Sequence, residues 1–318
     1  MTATLNEKGT ITAARIHSFG GPDAVCVEDI DRPEPGPDEV LVQVHAAGVN
    51  PLDWKEREGQ IESLPMPRTL GTDFSGVVEA LGPGVTDFCV GQPVFGHSAH
   101  GGAFAEFVVA PVSSIAPKPP TVDDIEAAAT PLSAMTAWQA LFEAANLQSN
   151  QRVLILGGSG GVGMFAVQLA LRRGAWVIAT ASSRNLPFLR RLGAHEAIDH
   201  AVSNLEQAVK RVDVVLDLVG REAQDRCWKI LKNGGRMVST VSAPSQEKAL
   251  LCGVRASKLQ TRTRADELSF MGALIANGEL KVTTDWVLPL SRASEALEMS
   301  RCGHVRGKIV MTIDHDRE

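Results

Sequence analysis

The chain has 318 residues, 44% of them hydrophobic and 21% charged, with a formal net charge of −6; this is an ordinary soluble globular composition and too long for one core, so two domains are expected. The modest negative balance, without a polybasic run, excludes a nucleic-acid surface built on phosphate neutralisation. Cys26, Cys89, Cys227, Cys252 and Cys302 are scattered and form no CxxC pair, which excludes a disulfide framework and a structural zinc lobe and fits a reducing cytoplasm.

The first residues, MTATLNEKGTITAARI, lack a basic segment followed by an apolar core. No apolar run approaches the ~20 residues that span a bilayer. Neither secretion nor membrane insertion is expected. From Ile11 to about Thr121 the pattern is of short strands between Gly and Pro turns, in EVLVQVHAAGVN, DFSGVVEALGPGV, GQPVFG and GGAFAEFVVAP. After PKPPTVDD the texture changes: IEAAATPLSAMTAWQALFEAAN is Ala-rich with apolar residues at helical spacing, behind Asp123 and Asp124 as N-caps. A domain boundary is therefore placed near residue 123.

Beyond it, apolar runs alternate with helical patterns: RVLIL, a helix over Val162 to Arg173, WVIAT, a helix around Pro187 to Leu192, EAID, VDVVLDLV and GGRMVST. Continuous β-branched runs alternating with amphipathic helices mark a parallel sheet covered on both faces, hence an α/β fold. The remainder has helices at RADELSFMGALIANG, closed by Gly278, and at RASEALEMS, then the strand GKIVMTI. The expected domains are residues 1–123, 124–258 and, returning to the first, 259–318.

RVLILGGSGGVGMFAVQLALRRG joins a strand, a glycine-rich turn and a helix, with Gly158, Gly160 and Gly163 satisfying GxGxxG. This arrangement binds a dinucleotide: Ser159, Gly160, Gly161 and Val162 bring main-chain N–H groups and a helix N-terminus to the pyrophosphate. An NAD site places an acid roughly 20 residues further on, on the ribose hydroxyls. No Asp or Glu occurs between Gly163 and Glu196. The second strand ends instead in TASSRN, where Ser182, Ser183 and Arg184 suit a 2′-phosphate, so NADPH is expected. Arg184 is open to the plainer reading of a solvated cation at a helix start.

These features together identify a resemblance to the zinc-independent medium-chain dehydrogenase/reductase superfamily, in its quinone oxidoreductase and alkenal/enone reductase branch. It rests on GVNPLDWKEREG, LGTDFSGVVEALGPGVTDFCVGQPVFG, GGAFAEFVVAP, ATPLSAMTAWQAL, LILGGSGGVGMFAVQLA and HVRGKIVM, in that order over almost the whole chain. The resemblance implies a Rossmann doubly wound parallel sheet inserted in a GroES-like β domain, with the active cleft at their junction. Zinc-dependent relatives have a cysteine ligand where this chain has Asn50, and a four-cysteine lobe that is missing here, so no metal is expected. His97 and His100, three apart in a Gly-rich loop, are read as cleft-mouth residues.

In similar enzymes the Asn of GVN reaches the nicotinamide ribose beside the substrate, which makes Asn50 the residue that orients the ring. Lys55 stands where plant-type enone reductases have a lysine; it either steadies the oxygen that becomes negative as hydride arrives or is a surface lysine paired with Asp53 or Glu56. Asp53 is read as structural, tying down the turn. Thr136 and the backbone around Val219 and Val241 are expected to line the nicotinamide half, and Lys308 to lie near the domain junction. The chain has no tyrosine, and the tyrosine that contacts the adenosine phosphate in many relatives is His200 here. The lysine common after the family's TAS stretch is Asn185.

The implied activity is hydride transfer from NADPH to a quinone or to the double bond of an α,β-unsaturated carbonyl, by a homodimer pairing near ALLCGVRA. An NADP-linked alcohol or carbonyl dehydrogenase and a non-catalytic NADPH-binding regulatory protein remain as alternatives.

Overall fold

EVLVQVHAAGV forms an eleven-residue strand, Glu39–Val49, buried along nearly its whole length because it lies inside a seven-stranded sheet. The computed structural model describes residues 9–61, 65–201 and 204–315. Its strands run in the order Thr284–Pro289, Lys308–Thr312, Glu39–Val49, Asp73–Leu81, Pro93–His97 and Ile115–Pro117, with Phe107–Pro111 also paired to Glu39–Val49. Every pairing is antiparallel except that between Thr284–Pro289 and Lys308–Thr312. Val42, Val44, Phe74, Phe104, Ile309 and Met311 fill the core beneath it.

Register gathers the polar residues at one end of this sheet. Gly48 lies opposite Asp73, Asp73 opposite His97, and Val49 opposite Ile309, which brings positions 50, 73, 97 and 308 together from four separate segments. Helix Asp124–Ala128 presses on the same end: a Cβ added at Gly48 would meet the Ala128 carbonyl oxygen at 2.2 Å.

The dinucleotide-type half forms a six-stranded sheet, parallel throughout, in the order Glu196–Asp199, Trp176–Ala181, Arg152–Leu156, Val212–Asp217, Leu231–Ser239, Arg255–Lys258. Helix Gly161–Arg172 covers it with Met164, Phe165, Val167 and Leu169 and ends where Gly174 takes φ +79, a left-handed turn that glycine adopts without strain. The five expected strands are all present and Arg255–Lys258 adds a sixth at the edge, so the fold is α/β, with the Rossmann sheet inserted along the chain between the two parts of the β domain, as the resemblance implies.

The chain divides into two compact units: Met1–Leu132 with Thr263–Glu279 and Thr284–Glu318, and Ser133–Arg262 with Leu280–Thr283. The boundaries thus lie at 132 and 262 rather than at 123 and 258. Asp124 holds its helix in the first unit, accepting from His45 Nδ1 at 3.2 Å and Ser75 Oγ at 2.7 Å. The Gln139 side chain holds the other boundary, bonding both backbone groups of Arg262 at 2.7 and 3.0 Å. The Ala-rich stretch is broken into helices Asp124–Ala128 and Pro131–Trp138 followed by a π-helical turn, Gln139–Ala144. Pro131, which has no N–H to give, sits at the break.

Candidate active site

In the second unit the chain enters the glycine-rich turn from the buried strand Arg152–Leu156. Two glycines there are demanded by packing. A Cβ on Gly163 would lie 2.3 Å from the Gly157 carbonyl oxygen, and one on Gly158 would lie 2.8 Å from the Ala179 methyl. Gly160 is different: its φ of −82° suits any residue and its added Cβ would meet nothing closer than 3.6 Å. Neither packing nor conformation requires glycine at that position. A bare glycine leaves room at the N-terminus of helix Gly161–Arg172, where the first-turn N–H groups have no intrahelical acceptor and suit an anion. Ser159 is buried while Gly160, Gly161 and Val162 are half-exposed. The turn therefore fits the pyrophosphate of a dinucleotide.

At the end of the neighbouring strand, Ser182 is half-buried and Ser183, Arg184 and His200 are exposed. Asn185 links this end to the glycine turn, donating from Nδ2 to Ser159 Oγ at 3.3 Å. Sequence reading missed one member of the group. Ala181 and Asp199 are register partners on adjacent parallel strands, and the Ser183 hydroxyl donates to the Asp199 carboxylate. Ser183 is thus already engaged rather than waiting for a phosphate.

Toward the other side of the sheet, Val219 and Val241 stand exposed on turns that follow Val212–Asp217 and Leu231–Ser239. One buried carboxylate fixes both turns. Asp217 Oδ1 accepts from Val219 N at 3.0 Å and Gly220 N at 2.7 Å; its Oδ2 accepts from Gln224 Nε2 at 2.8 Å and Ser239 Oγ at 2.7 Å. Ser239 Oγ in turn accepts from Val241 N at 3.2 Å. Thr136 is buried, its hydroxyl 2.8 Å from that of Thr261.

In the first unit, Asn50 ends strand Glu39–Val49 and opens helix Pro51–Arg57. Its amide is committed at both ends: Nδ2 donates to Asp73 Oδ2 at 2.9 Å and Oδ1 accepts from Lys308 Nζ at 2.5 Å. Asp73 also accepts the Leu132 N–H at 3.2 Å, lies 2.7 Å from His97 Nδ1 and 3.8 Å from Lys308 Nζ. Asn50, Asp73, His97 and Lys308 are all buried. The expectation of His97 and His100 as companions in a cleft-mouth loop is corrected: His97 ends strand Pro93–His97, buried against Asp73, while His100 is exposed. Among the described residues no group of three or more His, Cys, Asp or Glu is placed to hold a metal ion.

Asp53 does tie down the turn, accepting the Asn50 N–H at 2.7 Å. Burial raises its carboxyl from an ordinary 3.8 to about 7; Asp73 pushes the same way, while the Asn50 N–H and Lys308 oppose. Burial also lowers the Lys308 ammonium, against the pull of Asp73 and Asp53. Because the folded value of Asp53 lies above the unfolded one, its contribution to stability is complete below about pH 4 and is lost as pH rises to about 7. Asp53→Asn keeps an acceptor for Asn50 without the charge. The melting temperature of the wild type relative to this variant is expected to fall between those two pH values and level off above them. Parallel curves of melting temperature against pH would count against the assignment.

Lys55 lies half-buried in the helix that Asn50 opens, its Nζ 5.5 Å from the Trp54 ring centroid. The alternative in which it pairs with Asp53 or Glu56 is corrected. Asp53 faces Asn50, and Glu56 pairs with Arg68. Among the described residues the Lys55 ammonium has no acidic partner.

Residues 36–120 match the alcohol dehydrogenase GroES-like domain family, and residues 192–311 match the zinc-binding dehydrogenase family. The chain is 31% identical over 309 residues to the quinone oxidoreductase of Mus musculus, covering 92% of each. It is 32% identical over 308 residues to the NADPH-dependent alkenal/one oxidoreductase, chloroplastic, of Arabidopsis thaliana, covering 92% of this chain and 77% of that one. Of solved structures, the quinone oxidoreductase from Coxiella burnetii superposes with a TM-score of 0.90 at 34% identity, covering 96% of this chain and all of that one.

Proposed function

The chain belongs to the medium-chain dehydrogenase/reductase superfamily, in its quinone oxidoreductase branch, and from that premise we propose an NADPH-dependent reductase that passes hydride, without zinc, to a quinone or to the double bond of an α,β-unsaturated carbonyl. Membership makes the chain an oxidoreductase with a nicotinamide cofactor and a small-molecule substrate. The choice of reaction rests on Lys55. A lysine ammonium near Asn50 in sequence, with no acidic partner among the described residues, suits a reaction that builds negative charge on oxygen.

Zinc independence is supported by the chemistry of Asn50. A lysine ammonium bonded to its amide oxygen occupies the lone pairs that a cation would use and repels a second positive charge. NADPH is supported by Ser182 and Arg184 at the end of strand Trp176–Ala181, and by the coenzyme named for the Arabidopsis relative.

NADPH supplies the hydride when bound. Ser159, Gly160, Gly161 and Val162 hold the pyrophosphate, Ser182, Arg184 and His200 the adenosine phosphate, and Thr136, Val219 and Val241 the nicotinamide half. Asn50, locked between Lys308 and Asp73, presents a fixed amide for orientation. Lys55 stabilises the oxygen that gains charge, and water delivers the proton. The chain works in a reducing compartment such as the cytoplasm, which its free cysteines suit. It pairs as a homodimer along edge strand Arg255–Lys258, next to the exposed Leu250 and Leu251; a single-chain mass in sedimentation overturns the dimer.

The test is spectrophotometric: NADPH and NADH oxidation followed with short enals, aryl enones and quinones, and with saturated aldehydes as controls. Turnover of enones or quinones but not of saturated aldehydes is expected. Activity with the aldehydes alone favours an alcohol dehydrogenase, and coenzyme binding without turnover a regulatory protein. Lys55→Ala is expected to lower kcat by on the order of tenfold to a hundredfold with coenzyme affinity unchanged. Full turnover in that variant makes Lys55 a bystander.

A further inference from the structure

We propose that Asp199 sets coenzyme specificity in this chain, engaging the Ser183 hydroxyl and placing a negative charge where the 2′-phosphate of NADPH would lie, so that preference over NADH stays narrow. The inference rests on the reading above that the second unit binds a nicotinamide dinucleotide.

The sequence gap between Gly163 and Glu196 contains no acid, which by spacing alone points to a 2′-phosphate site. The sheet changes this. Strand Glu196–Asp199 lies beside Trp176–Ala181 with Asp199 opposite Ala181, so a carboxylate reaches the end of the second strand from its neighbour, sixteen residues beyond Ser183 and bonded to it. Its geometry is fixed on both oxygens. Oδ2 accepts the Ser183 hydroxyl, and Oδ1 accepts the Ala201 N–H at 2.9 Å. Those two donors, the serine first, hold its carboxyl below the ordinary carboxylate range, and it stays ionised at neutral pH.

Two consequences separate this arrangement from a plain phosphate pocket. A like charge opposes the 2′-phosphate, working against Arg184 and His200, the cationic or titratable side chains flanking Asp199 in sequence and at the adjoining strand end. The Ser183 hydroxyl also has its proton committed to Asp199, so it adds little to phosphate binding until Asp199 is removed. An ionised carboxylate at this place can instead accept from the ribose hydroxyls of NADH, as an acid on the second strand does in NAD sites.

The test measures dissociation constants of NADPH and NADH by nicotinamide fluorescence, and of adenosine 2′,5′-bisphosphate and 5′-AMP by calorimetry, at fixed salt. Asp199→Asn, close in shape, is expected to tighten NADPH and the bisphosphate about tenfold, the scale of one like-charge contact near a surface. NADH and 5′-AMP should change no more than about twofold in the weakening direction. Ser183→Ala should leave NADPH affinity within about twofold in the wild type yet lower it several-fold in Asp199→Ala, a non-additivity that two independent sites would not show. An unchanged NADPH to NADH ratio in both Asp199 variants overturns the inference and leaves the proposed function standing. Wild-type protein that binds neither coenzyme overturns both.

Discussion

Gly163→Ala is expected to abolish dinucleotide binding and to lower stability together. The added methyl would lie 2.3 Å from the Gly157 oxygen and 2.7 Å from the Gly158 backbone, and these atoms form the turn itself, so no side chain can swing away. Overpacking against backbone costs about 1–3 kcal/mol and displaces the turn that opens helix Gly161–Arg172, whose first N–H groups suit an anion. We expect the NADPH dissociation constant to rise about a hundredfold or more, the equivalent of roughly 3 kcal/mol, with a clear fall in melting temperature. Gly160→Ala is the informative partner. Its methyl meets nothing within 3.6 Å, so the fold should keep its melting temperature while coenzyme binding weakens. Equal melting temperatures for the two variants would refute this division between a glycine needed for packing and one needed for the ligand.

Removing the Asp73 carboxylate is expected to have the largest effect on the first unit. Asp73 is fully buried and serves the Asn50 amide, the His97 imidazole, the Leu132 N–H and, at 3.8 Å, the Lys308 ammonium. Asp73→Ala leaves a buried lysine without its compensating charge and several donors without an acceptor. Breaking a buried pair in this way costs about 3–5 kcal/mol, which for a unit of this size lowers the melting temperature by on the order of 10 °C. Asp73→Ala with Lys308→Met removes both charges and should recover part of the loss, because it is the orphaned ammonium that costs most. A double variant no more stable than the single one would mean that the hydrogen bonds, not the charge pair, dominate. Melting curves by circular dichroism decide between these outcomes.

Five of the six parallel strands can be read from the chain because a strand buried on both faces is a continuous β-branched run, and RVLIL, WVIAT and VDVVLDLV are such runs. The glycine turn was equally legible, being local. What escaped depends on neighbours distant in sequence. The web around Asp73 joins residues 50, 73, 97, 132 and 308, and no periodicity marks them as partners. Asp199 is too far along the chain from Gly163 to match the spacing of an NAD-site acid, because it comes across from an adjacent strand. The Asp217 hub was hidden inside VDVVLDLV, where the last polar residue of a buried strand looks like its end rather than an anchor. His97 and His100 looked paired by spacing, but strand geometry turns one inward and leaves the other outside. The helical texture after Asp123 was correct in kind, yet the tie of Asp124 to His45 and Ser75, which assigns the segment to the first unit, is tertiary.

The single carboxylate of Asp217 has a further consequence for how this protein can be altered. The turns bearing Val219 and Val241 share one anchor, so neither is an independent module. A graft or insertion at one strand end alters the hydrogen bonds that shape the other, and variation at the two ends must therefore be selected jointly, with Asp217 and Ser239 kept as a constant pair.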